Sequence, residues 1–102
     1  MTTFTRRTVT YDVATDAQTV VTTTLPGSAI RVRSTRSELA QFAAGGLTHE
    51  ETATLFWTPT TYGDRPRPGD TVSWEDLTWT VVFVDPIAPD GVTVAVRAGV
   101  RR

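Results

Sequence analysis

The densest alternation of apolar and polar residues runs from Arg65 to Val84, RPRPGDTVSWEDLTWTVVFV. Pro66 and Pro68 stiffen the approach by fixing φ, and Gly69-Asp70 supplies a turn into a strand. Thr71 to Trp74 alternates with the period of a half-buried strand. Glu75-Asp76 reads as a tight reversal, and Leu77 to Val84 runs back as a longer strand. Leu77, Trp79, Val81 and Phe83 share one face of it, with Val82 and Val84 on the other. No other segment carries as much β-branched and aromatic side chain, so this hairpin is expected to centre the fold.

The same alternation predicts strands elsewhere. Thr8 to Val13 places Val9, Tyr11 and Val13 on one face, and Thr15-Asp16-Ala17 turns the chain into a second strand over Thr19 to Leu25. Pro26-Gly27 is expected to break that strand. Ala29 to Arg33 follows as a strand, with Ile30 and Val32 facing inward and Arg31 and Arg33 outward. At Thr35 the period changes. Thr35-Arg36-Ser37-Glu38 fits a capping box, Leu39, Phe42 and Ala43 have helical spacing, and Gly45-Gly46 stops the helix. Thr48-His49-Glu50-Glu51 fits a second capping box, but Thr52 to Thr58 is β-branched and aromatic and reads as a strand. Pro59 to Pro68 is a loop. Asp90-Gly91 is a hairpin signal, and Val92, Val94 and Val96 mark the last strand. The sum is six or seven short strands and one short helix, at the turn spacing of a small barrel or sandwich.

Composition narrows this reading. At 102 residues, one domain over 1–102 is expected, with 34–51 as a helix-containing insertion between strands. Hydrophobic residues at 39% suffice for a modest core. The absence of cysteine excludes disulfides and thiol chemistry. A formal net charge of -1 argues against wholesale electrostatic binding of nucleic acid. No run approaches the roughly 20 apolar residues of a membrane span, and no apolar run follows Arg6-Arg7 as in a signal peptide. A soluble protein acting in a cytoplasm, or in an assembly built there, is expected.

Charge is uneven along the chain. Arg6, Arg7, Arg31, Arg33 and Arg36 outweigh Asp12 and Asp16, the stretch from Glu38 to Asp90 is acidic, and Arg97, Arg101 and Arg102 close the chain. Every basic residue is arginine, which suits forked contacts to carboxylates, although a GC-rich genome also explains it. Two unlike surfaces of this kind suit a head-to-tail contact between copies. Arg31, Arg33, Arg97, Arg101 and Arg102 are the candidate inter-subunit charges.

Candidates for chemistry are few. His49, the single histidine, has no partner at metal-ligand spacing. Glu50-Glu51 and Glu75-Asp76 are neighbours whose side chains diverge, which does not make an acid/base pair. Gly45-Gly46 lacks the context of a phosphate loop, and no serine sits in a nucleophile elbow. Trp57, Trp74 and Trp79 could stack bases, but their alternation with valine and leucine reads as core. No enzyme, no metal and no cofactor is expected, and a small interaction protein is.

The order of elements in the second half is more specific. Pro68-Gly69-Asp70, Val72, a short turn, Trp79, Val81-Val82, Asp90-Gly91, Val92 to Val96 and then Arg97 to Arg102 resembles the head–tail connector family of tailed phages, the stopper, head-completion or head-closure proteins. Ser37-Glu38-Leu39, Leu55-Phe56 and Pro59 extend the resemblance over about Ile30 to Arg102. It implies a small SH3-like β-barrel that assembles in the host cytoplasm into the neck of a virion. Copies would form a six- or twelve-fold ring between a portal-side adaptor and a tail terminator or tail tube protein. Double-stranded DNA would pass through without sequence-specific recognition, and no membrane is involved. The segment matching the channel loop is Ser34 to Glu51, and Glu38, Leu39, Phe42, Gly45, Gly46 and His49 are its candidate channel or interface residues. Its Gly45-Gly46 pair would serve as a hinge. The chain departs from the family at Glu75-Asp76, where glycine is usual, which predicts a longer or bulged turn. The alternatives are an SH3-like protein-interaction module with an exposed aromatic groove, or another neck protein such as a tail terminator.

Overall fold

A computed structural model describes residues 2–47 and 52–102. Six strands, β1 (Thr2–Asp12), β2 (Ala17–Val32), β3 (Thr52–Pro59), β4 (Thr71–Trp74), β5 (Leu77–Ile87) and β6 (Ala95–Arg101), close an antiparallel barrel. Around the barrel the order is β1-β2-β3-β6-β5-β4. One helix, α1 (Arg36–Ala44), lies in the β2–β3 connection. The expected small all-β barrel with a single short helix is what the chain forms.

Strand β6 shows why these residues close a barrel. Val96, Ala98 and Val100 are fully buried and alternate with Arg97, Gly99 and Arg101 on the other face, where Gly99 is buried as well. Their neighbours on the adjoining strands are Ala53, Leu55 and Trp57 of β3 and Trp79 and Val81 of β5, with Phe4 and Val72 closing the far side. The Trp57 indole N–H donates to the Thr2 carbonyl at 3.1 Å, and its ring meets Phe4 edge-on at 5.1 Å. Trp79 is buried and donates to the Trp74 carbonyl at 3.1 Å. The buried indoles thus satisfy their polar atoms while filling the core.

Strand β2 is a single 16-residue strand, and Pro26-Gly27 does not break it. Gly27 instead crosses the Trp57 indole so closely that a Cβ would sit 2.3 Å from Nε1. Ala29 pairs directly with Trp57, so small residues at 27 and 29 fix the register. That register sends Ile30 outward, opposite Phe56 and 63% exposed, where the alternation alone had placed it inward. Arg31, paired with Leu55 at the end of the barrel, is exposed.

A second departure lies in β5. The ladder with β6 shifts between Val81 and Phe83, a bulge at Val82. One extra residue reverses the facing of everything after it. Val84 therefore turns to the core with Ala98, while Phe83 lies across Gly99 on the outer wall. A Cβ on Gly99 would come within 2.1 Å of the Phe83 ring. Phe83 thus leaves the face it was expected to share with Trp79 and Val81. Beyond Val81, no strand among the described residues pairs with the β4-side edge of β5, which accommodates Pro86 inside the strand. The last strand starts at Ala95, so exposed Val92 and half-buried Val94 belong to the β5–β6 connection.

The β4–β5 turn is tight, not bulged. Trp74 pairs with Leu77, and Glu75 and Asp76 both take positive φ, 50° and 60°. This is the two-residue turn whose twist matches the flanking strands, and it holds a glutamate where such turns favour Asn-Gly. Replacing Glu75-Asp76 by Asn-Gly is expected to raise stability by about 1 kcal/mol, read from the midpoint of urea unfolding. Gly27→Ala is expected to lower it by about 2 kcal/mol in the same measurement, because neither Trp57 nor the adjacent carbonyl can withdraw.

Candidate functional site

Helix α1 forms as the capping box dictates. Thr35 accepts from the Glu38 amide at 3.2 Å, and Glu38 accepts from the Thr35 amide at 2.7 Å. At the other end, the amides of Gly46 and Leu47 donate to the carbonyls of Ala43 and Phe42, both at 3.0 Å, and Gly46 has φ 75°. This is a Schellman ending with Gly46 at its left-handed position. Gly45-Gly46 is thus the helix stop that was expected, and only Gly46 needs its glycine for backbone reasons. His49 falls outside the described residues.

The helix is fixed to the outer wall of β3, β6 and β5 at two points. Glu38 is buried, and its two oxygens accept from Arg97 at 2.7 Å and 3.0 Å. Arg97 also donates to the Arg33 carbonyl at 3.1 Å. Phe42 is buried against Phe83, ring centroids 5.1 Å apart, and Ser34 bonds Thr54 beside them. The Arg97 guanidinium holds the Glu38 carboxyl below its usual range against the opposing effect of burial, and Glu38 raises Arg97 in turn. Of the candidate channel or interface residues, Glu38 and Phe42 are thus buried against the barrel wall, Glu38 on Arg97 and Phe42 on Phe83.

The remaining candidates lie on the surface. Leu39 is 43% exposed, and it borders a cleft with Arg31, Val32, Arg33, Ser34 and Ala53. Arg31, Arg33 and Arg36 are exposed, and none pairs with a carboxylate among the described residues. Arg101 is exposed at the end of β6, and Arg102 lies over the Trp79 ring at 5.7 Å.

The element that the sequence reading did not single out is the β1–β2 hairpin. Eleven residue pairs join the strands, from Thr2↔Gly27 to Asp12↔Ala17. Strand β1 meets β4 only at Phe4 and Thr5, and β2 meets β3 only from Gly27 onward. Residues 7–24 are all exposed, and the ribbon projects from the barrel as an arm. The radius of gyration is 15.0 Å and the longest extent 48 Å, where a compact chain of this length has a radius near 13 Å. Val9 and Val20 form an exposed cross-strand pair, and Val13 at the tip is 84% exposed. Asp12 accepts from the Ala14 amide at 2.9 Å, and the Tyr11 hydroxyl donates to Asp16, which raises the Tyr11 pKa. The available signal was composition: from Thr5 to Thr24 the chain holds valine, tyrosine and threonine but no leucine, isoleucine or phenylalanine.

At its base the arm is held by Arg6, which donates to both oxygens of buried Asp70 at 3.0 Å and 3.2 Å and to the Arg65 carbonyl at 2.9 Å. Compared with known proteins, the chain matches no family model, no curated protein and no solved structure.

Glu38→Gln is expected to destabilise the fold by roughly 2 kcal/mol at neutral pH, because Arg97 loses its charged partner. The folded state holds the Glu38 pKa below its ordinary value of 4.5. Its contribution is therefore complete above that value and is lost as pH falls through the lowered one. Urea midpoints of the two proteins should converge in that acidic range.

Proposed function

We propose that the chain is a structural subunit of a phage or phage-like neck, forming a ring that closes the DNA-filled head and links a portal-side adaptor to the tail. The observation that carries this reading is the pairing of a closed barrel with two unlike outgrowths. A helix-bearing β2–β3 connection lies on one wall, and an exposed β1–β2 arm projects from the barrel. The resemblance of Ile30 to Arg102 to head–tail connectors supplies the biological setting, and the barrel with its helix at the expected place in the chain supports it. A subunit with two different protruding surfaces suits a heterologous contact, which closes into a ring when the rotation permits. The alternative of a peptide-binding module has less support, because Trp57 and Trp79 are buried and Trp74 packs against Trp79. In this reading the chain acts by assembly, and DNA passes through the ring without being read.

Cryo-microscopy of particles carrying the protein is expected to show a ring of copies in one layer between portal and tail. A single copy, or an isologous dimer, at that position would overturn the proposal.

A further inference from the structure

The arm tip and the cleft beside Leu39 are complementary in charge and in polarity. Between Arg7 and Arg31 the only charged residues are Asp12 and Asp16, which flank exposed Val13 at the tip. Between Ile30 and Ser37 the only charged residues are Arg31, Arg33 and Arg36. Arg31 and Arg33 rim the cleft, whose apolar side is formed by Leu39, Val32 and Ala53. Glu38, the nearby acid on the helix, is already engaged by Arg97. An acidic knob with an apolar point and, among the described residues, a basic cleft with an apolar side are thus both present on every copy.

These two surfaces cannot meet within one chain. They sit at opposite ends of β2, a continuous 16-residue strand that spans about 50 Å when straight. The ladders with β1 and β3 hold it extended.

We infer that the β1–β2 arm of one copy seats its Asp12-Val13-Asp16 tip in the Arg31/Arg33/Leu39 cleft of the next copy. This deepens the ring reading and rests on it, since it names the contact by which the copies meet. The contact is heterologous: each copy gives a tip and receives one, so the chain of contacts either closes or extends. The charges orient the encounter, and Val13 against Leu39 supplies the apolar contact.

The absence of cysteine makes the test direct. Full-length protein carrying both Val13→Cys and Leu39→Cys is oxidised at high concentration, beside each single variant. The double variant is expected to give a ladder of oligomers. An equimolar mixture of the single variants should give mainly a one-to-one dimer, and each single variant alone should remain uncross-linked. Arg31→Glu with Arg33→Glu should slow the cross-linking about tenfold, the scale of two exposed charge pairs. Asp12→Lys with Asp16→Lys on the same chain should restore it. Dimers from Val13→Cys alone would mean that tips meet tips, and would overturn the proposal. So would the absence of a ladder at millimolar protein, or a rate indifferent to the charge reversal. A ladder from a protein that forms no ring in particle necks would overturn the neck reading and retain the arm contact. A neck ring whose copies fail to cross-link would do the reverse.

Discussion

The Asp70 carboxylate is the constraint on which barrel and arm both depend. Strands β1 and β4 meet in only two residue pairs, so the seam that closes the barrel has little ladder of its own. Asp70 is buried there, and a buried carboxylate is tolerated only when its oxygens are fully engaged. It accepts from Arg6 of β1 on both oxygens and from the Arg67 amide at 2.8 Å. Its backbone carbonyl accepts from the Val81 amide of β5, and the Gly69 amide donates back to the Val81 carbonyl. One residue thus ties β1, the proline-stiffened approach and β5 together. Arg6 is also where the arm leaves the barrel, so the same ion pair anchors the base of the ribbon.

A second buried carboxylate repeats the device on the opposite wall. Glu38 closes the capping box of α1 with one oxygen and accepts from Nε and Nη2 of Arg97 with the pair. Both ion pairs use the planar guanidinium to engage two carboxylate oxygens at once, a geometry that lysine lacks. The arginine-only basic complement therefore has a structural use at two positions. At Arg31, Arg33 and Arg36 no carboxylate among the described residues takes up the charge.

Much of the barrel was legible because its strands alternate. The β4–β5 hairpin, the helix with both of its ends and the β3 strand followed from local pattern and capping chemistry. Most of the errors share one cause: they depend on what lies across the sheet. Pro26-Gly27 has the composition of a turn, yet glycine there serves the approach of Trp57. Ile30 and Phe83 have the right alternation and the wrong face, because Ala29 against Trp57 and the Val82 bulge set the parity. Glu75-Asp76 adopts a tight turn that its residues disfavour, because the strands on both sides dictate it. The roles of Glu38 and Arg97 were likewise hidden: they lie 59 positions apart in the chain, and only the barrel brings them together.

The arm poses a physical question that the barrel does not. A two-stranded ribbon is marginally stable alone in water, and this one exposes both faces and both edges over most of its length. It persists because its ladder continues without interruption into the barrel and because threonine and valine favour extended backbone. Exposed edges of this kind invite pairing with other chains, and proteins usually blunt them with lysine, proline or bulges. Between Arg7 and the barrel the ribbon carries none of these, only two aspartates at its tip. Such an arm is a liability in a monomer and an asset in an assembly, where a neighbour covers it. Beyond Arg7 the charge on the ribbon is confined to this acidic tip, and the exposed arginines Arg31 and Arg33 stand at the far end of β2.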